Sequence, residues 1–188
     1  ALQMMTAAST TDYYNVAVGY NAGNQVTSGS SNTIVGGLAG SNMTDGSFNT
    51  ILGYATGQNI TTGTQNTLIG ALAGDSLTTG VNNVAVGIHS LGAEDTGNKA
   101  TAIGYHALAA QNNDTDTHNV AVGFEAGNDI TTGTLNTLVG SLAGDAITEG
   151  HSNVAVGYQA LSTNVDGDGN TALGYSALFA LEPANGYS

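Results

Sequence analysis

The chain has 188 residues, of which 28 are glycine and none cysteine, and its formal charge of −13 comes from 14 acidic residues against one base, Lys99. Without arginine or a lysine cluster a nucleic-acid partner is excluded, because affinity for a phosphate backbone rests on such contacts, and anionic membrane surfaces are disfavoured on the same ground. Disulfide and thiol chemistry are absent, and no apolar run approaches the ~20 residues that cross a bilayer, so membrane insertion is not expected.

Residues 1–14 follow no pattern and read as an N-terminal cap or joint. The chain opens at Ala1 without an initiator Met or a signal-like segment, as a processed chain or a piece of a longer protein does. From residue 15 a glycine closes each short apolar run at a 17-residue spacing: Gly19, Gly36, Gly53, Gly70, Gly87 and Gly104. After one two-residue slip, Gly123, Gly140, Gly157 and Gly174 resume the spacing. Runs such as Asn66-Thr67-Leu68-Ile69-Gly70 predict one β-rich unit written ten times, with coils starting near residues 15, 32, 49, 66, 83, 100, 119, 136, 153 and 170. A unit this short cannot bury a core alone. The expected fold is therefore all-β: a single β-solenoid, or β-roll, over 15–188, in which each coil of two short strands plus turns pairs with its neighbours.

Let the residue four before each repeat glycine be position 1. Position 4 (Val18, Val35, Leu52, Ile69, Val86, Ile103, Val122, Val139, Val156, Leu173) is aliphatic in every coil, and position 3 is apolar throughout. Adjacent strand residues point to opposite faces, so this strand is expected to be covered on both sides. A coil has one interior and covers only one side; the simplest cover for the other is a second copy of the chain. Position 9 is glycine where position 12 is large, as in Gly57 with Ile60, whereas Leu91, Leu108 and Leu161 at position 9 accompany Glu94, Gln111 and Asn164. Tyr or Phe at position 6 accompanies alanine at position 3, as in Tyr105 with Ala102, with Tyr54 beside Ile51 the exception, which reads as constant volume in each layer. Glycine at position 15 (Gly29, Gly46, Gly63, Gly80, Gly97, Gly133, Gly150, Gly167) suggests a left-handed turn. Asparagine at position 1, stacked coil over coil, predicts a ladder that satisfies turn amides. Residues 49–118 realign on 119–188, and each half ends in a lengthened coil, at 112–116 and 182–185, expected to bulge as a loop.

Asn153-Val154-Ala155-Val156-Gly157-Tyr158-Gln159-Ala160-Leu161 and Asn170-Thr171-Ala172-Leu173-Gly174-Tyr175-Ser176-Ala177-Leu178 resemble the Asn-Thr-Ala-x-Gly-Tyr-x-Ala-Leu repeats of phage and bacterial tail-fibre-like proteins. The Val-Ala-Val-Gly core is similar to the head repeats of trimeric autotransporter adhesins. The resemblance spans about residues 15–178 and implies a homotrimer, an extracellular place on a virion fibre or a bacterial surface, and attachment as the task. The adhesin head repeat is shorter than the unit found in this chain, so its coil shape does not transfer.

Chemistry is sparse. His89, His106 and Glu125 occupy position 7 of three successive coils and form the sharpest metal-ligand candidate, set against exposed or interface histidines as the plainer reading. Asp166 and Asp168 lie in an acidic, glycine-rich stretch with the look of a calcium loop, but it lacks the closing glutamate of an EF-hand, and a polar turn is the default. His118 and His151 fall in turns. Threonine columns at positions 13 and 2 admit an ice-binding reading, although both are interrupted. No spacing suggests a catalytic triad or nucleophile elbow, so no enzyme and no cofactor are expected. Tyr20, Tyr54, Tyr105, Tyr158 and Tyr175 are candidate surface-contact residues for a glycan or cell-surface receptor. The reading is a trimeric, multivalent fibre or adhesin segment; a self-assembling extracellular filament subunit and an ice-binding solenoid are the alternatives.

Overall fold

The computed structural model describes residues 13–179. The second lengthened coil, at 182–185, and most of the N-terminal cap lie outside the described residues. Ten strands of three residues, β1 (Val16–Val18), β2 (Thr33–Val35), β3 (Thr50–Leu52), β4 (Thr67–Ile69), β5 (Val84–Val86), β6 (Thr101–Ile103), β7 (Val120–Val122), β8 (Thr137–Val139), β9 (Val154–Val156) and β10 (Thr171–Leu173), form one parallel sheet in chain order. Each residue pairs with its counterpart one repeat on: Ile34 with Ile51, Ile51 with Leu68, Leu68 with Ala85. The register survives the slip, since Thr101 pairs with Val120 although the lengthened coil lies between them. The expected β-solenoid is present, and no helix occurs among the described residues.

The coil is simpler than expected. It contains one strand, not two; the rest is turn, held by amides that donate to the adjoining coil, as Thr27 N–H does to Thr44 O (2.9 Å) and Gly57 N–H to Ala73 O (3.0 Å). A short closed path can bend back on itself only through tight turns, so residues at positions 7 and 9 take left-handed conformations in every coil, as does the last residue of each coil up to 169, among them Leu72 (φ 58°), Leu108 (φ 50°), His106 (φ 53°) and Gln65 (φ 59°). Position-15 glycines do not take that conformation, correcting the turn reading. They are glycine for space: a Cβ on Gly29 would stand 2.2 Å from Gly46 O, and one on Gly133 2.5 Å from Gly150 O. Coils stacked at the parallel-sheet spacing of ~4.8 Å leave no room there for a side chain.

The core is a narrow column. Its wall is the middle strand residue, buried in every strand from β2 to β10, and its filling is the small residue at position 8 with the plug at position 12 or 9. Ile60, Leu77, Ile130 and Ile147 fill it from position 12, whereas Leu91, Leu108 and Leu161 fill it from position 9, all fully buried. The plug exchange holds. The aromatic–alanine exchange does not, because Tyr20, Tyr105, Phe124, Tyr158 and Tyr175 stand outside the coil, 43–78 % exposed, and cannot replace core volume.

The asparagine ladder is continuous from Asn15 to Asn83. Asn66 illustrates the rung: its Oδ1 accepts Asn83 N–H (2.9 Å), and its Nδ2 donates to Gly80 O (2.9 Å) and Asn49 Oδ1 (3.2 Å). Ala100 breaks the ladder, and it resumes at Asn119.

Candidate functional site

An outward face of ten parallel strands is the most distinctive surface of the molecule. Alternation along each strand turns position 3 inward and positions 2 and 4 outward. Position 4 thus forms an unbroken aliphatic column in which Val18, Leu52, Ile103, Val139 and Leu173 are exposed and the other five half-buried. Beside it run Val or Thr at position 2 and the exposed Tyr20, Tyr54, Ile88, Tyr105, Phe124, Tyr158 and Tyr175 at position 6. The two-sided cover expected for this strand is therefore supplied on one side only by the chain itself.

No charged residue occupies positions 2, 3 or 4 of any coil. Among the described residues every Asp and Glu except Glu125 lies at position 10 or later, on the turns away from this face. The surface is consequently segregated, with an uncharged apolar strip on one side and an acidic remainder.

The five tyrosines sit where the repeat places them, but they do not form one continuous stack. Tyr105 stacks on Phe124 with ring centroids 5.2 Å apart and planes 11° from parallel, and Tyr158 on Tyr175 at 5.5 Å and 18°. Between these pairs the position is occupied by Ser141, as it is elsewhere by Gly37 and Ala71. Tyr105 also stacks on His106 at 4.2 Å, and His106 meets His89 edge to face at 5.2 Å. His89, His106 and Glu125 are half-buried members of the expected column, yet among the described residues no group of three His, Cys, Asp or Glu side chains is placed to hold a metal ion. Asp166 and Asp168 are engaged with the coil before them: Asp166 Oδ1 accepts from Thr148 Oγ1 (2.9 Å) and Asp168 Oδ1 from His151 N–H (2.6 Å). His118 and His151 are exposed, and His151 Nδ1 accepts Thr134 N–H (3.0 Å).

Hydroxyls of the position-13 threonines are likewise engaged, donating to the carbonyl one coil on, as Thr27 does to Thr44 O (3.3 Å) and Thr78 to Asp95 O (3.0 Å). Carboxylates vary with depth. Burial pushes Asp75 and Asp145 up, His89 opposing this at Asp75 and the Ser162 hydroxyl at Asp145. Hydroxyls of Ser28 and Thr27 hold Asp45 low, and Lys99, 2.6 Å away, holds Asp116 low.

Sequence reasoning missed a buried polar cluster at the broken rung. Glu94, Gln111, Thr117 and Asn119 are all fully buried, with Gln111 Nε2 donating to Glu94 Oε2 (3.0 Å) and Gln111 Oε1 accepting from Asn119 Nδ2 (2.8 Å). Gln111 Oε1 thus takes the Asn119 Nδ2 bond that an asparagine at residue 100 would otherwise accept. The signal was present: Glu94 and Gln111 at a mostly apolar position, in the coil that lacks the position-1 asparagine and in the coil before it. No protein-family model, curated protein or solved structure matches this chain.

Proposed function

We propose that this chain is the shaft or display segment of an extracellular fibre or adhesin, in which three copies of the solenoid pack their outward strand faces together. One observation carries the reading: an aliphatic column runs the full length of the sheet, uncharged on every coil and open to solvent in a single chain. Parallel sheets are covered on both faces in folded proteins, and contiguous exposed apolar strips mark association surfaces. Charge supports the same face, since the acidic turns of like chains repel while the strips do not. Resemblance to tail-fibre and trimeric-adhesin repeats supplies the number three.

Mechanically, every coil is hydrogen-bonded to the next, so the segment is a stiff rod. Repeated turns and the tyrosines present many weak contacts to a glycan or cell-surface receptor, and tandem contacts gain avidity without a strong single site. A virion or bacterial surface is the setting that such a rod fits.

Light scattering at several concentrations tests the assembly. The expected result is a fixed mass of three chains, and Ile69→Lys, on the strip, should reduce it to a folded monomer with unchanged circular dichroism. A wild-type monomer refutes the proposal, and a mass that climbs with concentration replaces it with an open filament.

A further inference from the structure

Glu94 is a carboxylate with no exposed surface and no cation beside it. Everything that touches its oxygens donates. Oε1 accepts Gly97 N–H (2.8 Å), Oε2 accepts from Gln111 Nε2 (3.0 Å), and Asn113 N–H is shared between the two at 3.4 and 3.3 Å. Asn113 stands at the start of the lengthened stretch 112–116 of the coil 100–118, and Gln111 leads on to the asparagine ladder through Asn119. One side chain therefore ties the insertion to the core at the place where both the 17-residue spacing and the ladder are interrupted.

We propose that Glu94 is an acid-released latch: ionised, it holds the first residues of loop 112–118 against the core, and protonated, it lets them go. A proton on either oxygen turns an acceptor into a donor among three donors. The bond surrendered is the longest, that of Asn113 N–H. Burial, opposed by the bonds from Gln111, Gly97 and Asn113, pushes the Glu94 carboxyl above its ordinary 4.5, with neighbouring Asp95 adding to the rise.

Other charged groups around the latch are half-buried or exposed. On the coil before, Leu77 is the column neighbour and Asp75 lies beside Gly92. On the coil after are Asp114, bonded to Thr96 Oγ1 (2.7 Å), Asp116, paired with Lys99 (2.6 Å), and exposed His118. Asp116 is held below its ordinary 3.8 by that lysine. Acidification therefore reaches Glu94 before Asp116, and in that interval the loop keeps its Lys99 tie but loses its buried one.

Hydrogen exchange of the intact chain, followed from neutral pH down toward 4.5 and corrected for the intrinsic pH dependence, reads the latch directly. The Asn113 region should lose protection about tenfold, the effect of one hydrogen bond to a charged group, while the Asn49–Asn66 rungs keep theirs. Glu94→Gln, a permanently neutral side chain, should show the released loop at every pH. Should that variant not fold, the carboxyl carbon resonance of Glu94 in the wild-type chain decides, because its titration must coincide with the loss of protection. Unchanged protection across the interval, or a Glu94 titration that does not coincide with it, overturns the proposal.

Discussion

Gly104→Ala tests whether the repeat glycine exists for the close approach of coils. A Cβ on Gly104 would lie 2.1 Å from Gly123 O and 2.6 Å from Gly123 C, and the backbone there has φ 140°. Ordinary contact begins near 3.4 Å, so the next coil must retreat by roughly 1 Å. That retreat lengthens the bond from Gly123 N–H to Ile103 O, now 2.8 Å, beyond useful range. One or two backbone bonds at about 1 kcal/mol each, with about 1–3 kcal/mol for a side chain in that backbone region, give a loss of roughly 2–5 kcal/mol. Gly174 is the control: it has φ 118° but no described residue within 4 Å of its Cβ position, so Gly174→Ala carries backbone strain without a clash against a described coil. Urea unfolding followed by circular dichroism should place Gly104→Ala about 1–2 kcal/mol below Gly174→Ala. Equal losses would refute the stacking explanation and leave conformation as the whole reason for the glycine.

Asn66→Ala removes a rung and strands Asn83 N–H and Gly80 O inside the stack, so a loss of about 2–4 kcal/mol is expected in the same assay; a loss under 1 kcal/mol would mean the ladder is ornamental. Stability should rise as pH falls from neutral, because Glu94, Asp75 and Asp145 have folded pKa values above their ordinary ones and bind protons more tightly folded than unfolded. Asp45 and Asp116 act oppositely: their contribution is present above 3.8 and lost as pH falls through their lowered values. A melting temperature that falls steadily from neutral pH to 4.5 would contradict this balance.

Much of the solenoid was legible because every coil meets the same surroundings as its neighbour. The glycine spacing set the strand positions, the register across the slip, the asparagine ladder and the exchange of Leu108 for an apolar position-12 plug. Each of these relates positions within one repeat or equivalent positions of successive repeats, and a period records such relations directly. Clearances and exposures between unlike positions of neighbouring coils were decided only by stacking. Gly29 looked like a turn glycine and proved to be a gap for Gly46 O, while left-handed conformations fell to side-chain-bearing residues such as Leu72, His106 and Gln65. Tyr105 varied in step with Ala102 yet faces solvent, since a strand of three residues ends before position 6 and the turn carries that side chain outward. The Glu94–Gln111–Asn119 cluster likewise required the fold, because its members come from three successive coils and meet only when the lengthened coil is wound into the space of an ordinary one.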